Sequence, residues 1–152
     1  MHNKVKDSTI LVTGGAGFIG SYVIEELIPL QPKKIIIIDN FIRGTKENMK
    51  SFINNPIIEI HNADIRETDK LEACIAGCDY VFHMAALRIN ACAANPKEGF
   101  DVMLKSTFDV ADLCKKHKVK KVIYSSSASV YGLAQHFPTP ETDNPYNNQT
   151  FY

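Results

Sequence analysis

The chain has 152 residues, with 17 Lys and Arg balanced by 17 Asp and Glu, so no bulk positive charge invites a nucleic-acid backbone. A composition of 45% hydrophobic and 22% charged residues is that of an ordinary globular domain rather than a disordered or fibrous chain, and its length predicts one domain. No apolar run approaches the ~20 residues that span a bilayer. The longest, Ile35 to Ile38, closes at Asp39. The polar start from Met1 to Asp7, and the break at Gly14, argue against a secretory leader.

Apolar segments of strand length alternate with segments of helical period, the pattern of an α/β fold. Strands are expected at Thr9 to Thr13, Lys34 to Asp39, Ile57 to His61, Asp79 to His83 and Lys121 to Ser125, each short, Val/Ile-rich and suited to burial on both faces. Helices are expected over Gly17 to Leu30, stopping near Pro29, and over Leu71 to Ile75. A long helix should start after Asn95-Pro96 and end at the basic Lys115-Lys116-His117. From Leu133 to Tyr152 the pattern gives way to Pro and Asn and reads as a loop. The architecture predicted is a Rossmann-type doubly wound parallel sheet, helices on both faces, that stops after its fifth strand. In the order 3-2-1-4-5-6 that strand would lack its outer neighbour, which predicts an apolar edge prone to self-association.

Cys74, Cys78, Cys92 and Cys114 contain no Cys-x-x-Cys pair, so reduced thiols in a cytoplasmic protein are expected, and no metal site.

The segment Gly14-Gly15-Ala16-Gly17-Phe18-Ile19-Gly20 joins the first strand to the first helix and holds a Gly-x-Gly-x-x-Gly register starting at Gly15. Such glycines allow a tight turn and close approach of backbone N–H groups to a pyrophosphate at a helix N-terminus. An acidic residue about 20 positions on completes the dinucleotide pattern. Asp39, at the end of the second strand, is that residue. A carboxylate there accepts from both ribose hydroxyls and repels a 2′-phosphate, so NAD is favoured over NADP. Arg43, four residues on, could meet a 2′-phosphate but reads rather as a loop residue near the adenine or as a solvated charge.

Thr13 to Ser21, Asp39-Asn40, Asp64-Ile65-Arg66, His83-Met84-Ala85-Ala86 and Ser125 to Gly132 together resemble the NAD-dependent epimerase/dehydratase family of extended short-chain dehydrogenases, and specifically its nucleotide-sugar 4-epimerases. The resemblance covers the whole chain but only the N-terminal part of such a protein. It implies residues 1–132 as an NAD-binding core, 133–152 as an active-site loop leading into a Tyr-x-x-x-Lys helix, and a substrate domain beyond this sequence. The cofactor-binding residues it implies are Gly14, Gly17, Phe18, Ile19, Gly20, Asp39, Asn40, Asp64, Ile65, Ala85, Ala86 and Ser125. Asp64 would hold the adenine amino group, although Asp64 or Thr68 could instead cap the helix before Leu71. His83 reads as structural rather than as an acid or base, and Arg88 as either a phosphate contact or a loop charge.

In the family a Tyr phenolate and a Ser or Thr assist hydride transfer to the nicotinamide, with a Lys four residues after the Tyr. Ser127 and Tyr152 match the first two as catalytic residues, and the Lys lies beyond Tyr152. Tyr146 is followed four residues later by Thr150 and does not qualify. The family's Asn in an Asn-Val-x-Gly-Thr pattern is replaced here by Met103, with Thr107 retained. Ser127-Ala128-Ser129 stands where dehydratases commonly carry Thr-Asp-Glu, which favours epimerisation. The expected activity of the whole protein is NAD-dependent 4-epimerisation of a nucleotide-linked sugar, a UDP-hexose, by a homodimer with no nucleic-acid or membrane partner. For the 152-residue chain alone, NAD binding without turnover is expected. Another reaction of the family, or a non-catalytic dinucleotide-binding module, is the alternative.

Overall fold

A computed structural model describes residues 4–143. The chain runs β1 (Thr9–Thr13), α1 (Phe18–Leu27), β2 (Lys34–Asp39), β3 (Ile58–Asn62), α2 (Thr68–Ile75), β4 (Tyr80–His83), three helical pieces α3 (Ile89–Ala94), α4 (Pro96–Gly99) and α5 (Ser106–Lys116), and β5 (Lys121–Tyr124). The five strands form one parallel sheet in the order β3-β2-β1-β4-β5. This is the doubly wound arrangement expected. The direction of winding reverses between β1 and β4, and a ligand crevice belongs outside the strand ends at such a point.

The alternation of strand side chains divides the core into two layers. Leu11, Ile36, Ile38 and Val81 pack with Leu71, Ile75, Val110 and Leu113 on the face covered by α2 and α5. Ile10, Val12, Ile35 and Ile37 pack with Ile24, Leu27, Met49 and Phe52 on the face covered by α1. Both alternating sets of β2 are buried, so its apolar run is continuous. Each fully buried Ile contributes about 1.5–3 kcal/mol.

Several boundaries differ from expectation. The first helix ends at Leu27 and the chain tightens into a 3-10 turn over Ile28–Leu30, because Pro29 has no N–H to continue the ladder. α2 begins at Thr68, three residues earlier than its apolar pattern starts. β3 is shifted one residue, to Ile58–Asn62, and β5 ends at Tyr124, leaving Ser125 outside it. β3 and β5 are not buried on both faces. They are the sheet edges, and β5 leaves Val122 and Tyr124 exposed.

The long helix is preceded by α3 and is not continuous. Asn95 caps α4, accepting the Glu98 N–H at 3.2 Å with Pro96 in the first turn, but Phe100–Lys105 widens into a π-helical segment before α5. Such bulges often mark functional positions. The described residues after β5 hold a single 3-10 turn, Ala128–Tyr131, and then irregular chain.

Candidate active site

A cleft of about 530 Å³ opens above the carboxyl ends of the strands, between the β1–α1 loop, the loop after β2, the end of β3 and the turn after β4. Gly14, Gly17, Phe18, Ile19, Gly20, Asp39, Asn40, Asp64, Ile65, Ala85 and Ala86 all line it. Of the expected cofactor contacts only Ser125, exposed beyond β5, does not.

Two glycines shape the floor. Gly14 adopts φ +68°, and a Cβ there would lie 2.8 Å from the Ala85 Cα, so the first loop and the turn after β4 touch backbone to backbone. A Cβ on Gly20 would fall on the Gly14 carbonyl oxygen, so only glycine lets α1 start this close to the loop. α1 has neither a side-chain cap nor an acid in its first turn. Its N-terminal amides are therefore left without a side-chain partner from its own first turn, the arrangement that favours an anion at a helix start.

Asp39 is 8% exposed. Its Oδ2 accepts the Ala16 N–H at 3.0 Å and its Oδ1 accepts the Phe41 N–H at 2.8 Å. The carboxylate thus fixes the phosphate loop while lining the cleft, and each oxygen keeps a second lone pair for a hydroxyl donor. The loop after β2 is also tied to the phosphate loop. The Ala16 carbonyl accepts from Thr45 N at 3.1 Å and from Asn48 Nδ2 at 2.9 Å, and a Cβ on Gly44 would meet Ala16 Cβ at 2.6 Å and Asp39 Oδ1 at 2.7 Å. Gly44 and Asn48 were not anticipated from sequence. Only a Gly soon after the acidic residue hinted at this close packing.

Asp64 accepts from Asn40 Nδ2 at 2.8 Å, from Arg66 Nε and Nη2 at 2.9 Å each, and from the Arg66 N–H at 2.9 Å. The Arg66 hydrogen bonds hold its carboxyl down to about 2. The cap reading of Asp64 reduces to a local turn onto Arg66, since no side chain caps α2. Arg66, quoted in the sequence motif but given no role there, emerges as the organiser of this wall. It also reaches Glu98 at 3.5 Å. Arg43 and Arg88 both line the cleft.

Ser127 follows β5 by three residues, and its Oγ accepts the Ser129 N–H at 3.1 Å and caps the 3-10 turn. It does not line the cleft. Tyr152, like Tyr146, is outside the described residues. Met103, in place of the family's Asn, lies in the π segment and its Sδ accepts the Leu87 N–H at 3.1 Å.

A doubly wound sheet with a glycine-lined crevice at its switch point defines a dinucleotide-binding protein. The model of the NAD dependent epimerase/dehydratase family matches residues 10–152, and the chain belongs to that family. It is 36% identical over 141 residues to a putative UDP-glucose 4-epimerase of Methanocaldococcus jannaschii, covering 91% of this chain and 44% of the relative. Its fold matches the UDP-N-acetylglucosamine 4-epimerase of Methanobrevibacter ruminantium, solved with UDP-N-acetylmuramic acid, with TM-score 0.87 and 36% identity over 97% of this chain and 46% of that one. It also matches the UDP-glucose 4-epimerase of Bifidobacterium longum in complex with NAD+ and UDP, with TM-score 0.75 and 34% identity over 92% and 45% of the two chains. The chain spans less than half the length of these relatives.

Proposed function

We propose that this chain is the cofactor-binding part of an NAD-dependent UDP-sugar 4-epimerase, with residues 1–132 as the NAD-binding core and 133–152 as the loop leading to the catalytic Tyr. The single observation that carries this reading is the cleft itself, where an uncapped helix end, Gly14 and Gly20, Asp39 and Asp64 converge. The residues fit the group: a side chain at Gly14 would collide with Ala85, so the cradle is kept shallow enough for a pyrophosphate. Gly14, Gly17, Phe18, Ile19 and Gly20 hold the phosphates, Asp39 the ribose hydroxyls, and Asn40, Asp64 and Ile65 the adenine edge. Ala85, Ala86 and Ser125 complete the set toward the nicotinamide.

NAD held by these residues would supply a hydride acceptor and donor for oxidation and reduction at C4 of the sugar. Ser127 would donate a hydrogen bond to the sugar oxygen, whose proton Tyr152 takes. The Ser127 Oγ already accepts the Ser129 N–H, which leaves its own proton free to donate and polarises it. Tyr152 is the base, and an ordinary phenol titrating near pH 10 needs a neighbouring cation to serve at neutral pH. Another reaction of the family on the same cofactor is the second reading, which the Ser127-Ala128-Ser129 segment disfavours.

Phe100, Leu104 and Phe108 are 46%, 60% and 69% exposed and recur every four residues along the π segment and α5. This stripe is the proposed homodimer face. The four cysteines are all buried free thiols, which accords with a reducing, cytoplasmic setting. No helix among the described residues is long and apolar enough to cross a membrane.

The direct test is a fluorescence or calorimetric titration of the chain with NAD and NADP. Tenfold or greater preference for NAD is expected, and equal affinity, or no binding of either, would overturn the reading.

A further inference from the structure

His83 occupies the last position of β4 and is 2% exposed. Its Nδ1 lies 2.8 Å from Thr13 Oγ1 on β1, and its Nε2 lies 3.1 Å from Thr107 Oγ1 on α5. The partners of the two threonines decide where the imidazole proton resides. Thr13 Oγ1 accepts the Ala85 N–H at 3.1 Å and shares the Met84 N–H, at 3.2 Å, with the Thr13 carbonyl oxygen at 3.1 Å, which leaves the hydroxyl proton for His83 Nδ1. Thr107 donates to the Met103 carbonyl at 2.8 Å, so its oxygen is left to accept from His83 Nε2–H. Every bond then runs in one direction, from the Met84 and Ala85 amides through Thr13, His83 and Thr107 to the Met103 carbonyl. The tautomer is fixed as neutral Nε2–H. A second proton on Nδ1 would place three donors on Thr13 and orphan its hydroxyl.

One end of this chain lines the cleft and the other is bonded to its wall. Met84, Ala85 and Leu87 form the wall against the phosphate loop, with Ala85 in backbone contact with Gly14. Met103, whose carbonyl terminates the relay, also holds the Leu87 N–H through its sulfur. Tyr124 of β5 stacks on the imidazole at 5.8 Å between centroids and is the titratable group facing it. Burial lowers the histidine to about 4, which agrees with a ring that stays neutral.

We propose that His83 is a positioning residue for the dinucleotide: as a neutral Nε2–H imidazole it couples β1 to the π segment and so sets the Met84–Leu87 backbone that walls the cleft. The proposal rests on the NAD reading of the cleft, but the relay is readable without NAD.

Three measurements on the 152-residue chain test it. Long-range ¹⁵N–¹H spectra of the histidine rings should show His83 as the Nε2–H tautomer at pH 7. In Thr107→Val, which is nearly isosteric and outside the cleft lining, amide exchange at Met84, Ala85 and Leu87 should accelerate about tenfold while Ile37 in β2 is unchanged. NAD affinity should fall about fivefold in the same variant, and Thr107→Ser should restore both values. His83→Phe should reproduce Thr107→Val where it folds. An Nδ1–H or doubly protonated ring at neutral pH, or exchange at the wall unmoved by Thr107→Val, would overturn the relay. Failure of the unmodified chain to bind NAD would instead overturn the cofactor reading, with the spectra and exchange rates still deciding the relay. NAD affinity unmoved while exchange accelerates would overturn the positioning role.

Discussion

Asp39 and Ala16 hold each other across the mouth of the cleft: the Asp39 carboxylate accepts the Ala16 N–H at 3.0 Å, and a loop continuing from Asp39 returns two donors to the Ala16 carbonyl. The carboxylate proposed to read the ribose therefore also shapes the phosphate loop. Cofactor choice and loop geometry are coupled through one side chain.

Asp39→Ala should lose more than selectivity. The Ala16 and Phe41 amides would lose their acceptor, at a cost of about 1–3 kcal/mol each where water cannot replace it. Urea unfolding should show a stability loss in that range. NAD should bind at least tenfold more weakly, with discrimination against NADP reduced. Asp39→Asn, which keeps one acceptor oxygen, should recover part of the stability but not the selectivity. Unaltered selectivity in both variants would remove Asp39 from its ribose role.

Gly14→Ala and Gly77→Ala make a matched pair. Both positions have positive φ, +68° and +81°, but only at Gly14 would a Cβ meet backbone, Ala85 at 2.8 Å, while at Gly77 nothing lies within 4 Å. Gly77→Ala should cost the left-handed strain alone, about 1–2 kcal/mol. Gly14→Ala should cost more and abolish NAD binding. Equal melting temperatures for the two variants would show that the turn after β4 yields freely.

Acid stability should report His83. Its value in the folded chain, about 4, lies below the ordinary 6.5, so the unfolded chain binds the proton first. Its stabilising contribution is complete above pH 6.5 and is lost as the pH falls toward 4, on the order of 3 kcal/mol in all. Asp64, held down to about 2 from 3.8, acts in a lower window and loses its contribution only as the pH falls from about 4 toward 2. Replacing His83 by Phe should flatten the upper window and leave the lower one. A stability curve for the unmodified chain that is flat between pH 6.5 and 4 would contradict this assignment.

If the exposed stripe is the homodimer face proposed for this chain, Leu104→Glu combined with Phe108→Glu should yield a monomer without destabilising the fold, because both side chains are largely exposed, at 60% and 69%. Sedimentation at increasing concentration checks this. Concentration-independent monomer for the unmodified chain would dismiss the stripe as an interface.

The sheet was legible because β1 and β2 carry unbroken apolar runs whose alternating sets are all buried, and because glycine spacing and Asp39 fall where a strand meets a helix. The edges were less so. β3 and β5 each have one free side, so burial ceases to fix their ends, and their limits moved by a residue. The π segment left no mark in sequence, since Phe100 to Thr107 keeps an ordinary helical period, and the contacts made there, Leu87 to Met103 and His83 to Thr107, come from residues remote in the chain. Gly44 acquired its role only through a neighbour remote in sequence, Ala16, and Arg66 through a fold-dependent clasp on Asp64 two residues before it, extended to Glu98. Ser127 was identified by its motif, but its capping bond to Ser129 depends on a turn that the motif does not disclose.

The most direct test of the cofactor cleft is calorimetric titration of the chain with NAD, ADP-ribose and nicotinamide mononucleotide in parallel. With the anchors at the phosphate loop, Asp39 and Asp64, ADP-ribose should bind within a few-fold of NAD, and the mononucleotide at least tenfold more weakly. Equal affinity for NAD and nicotinamide mononucleotide, or no measurable binding of ADP-ribose, would contradict it.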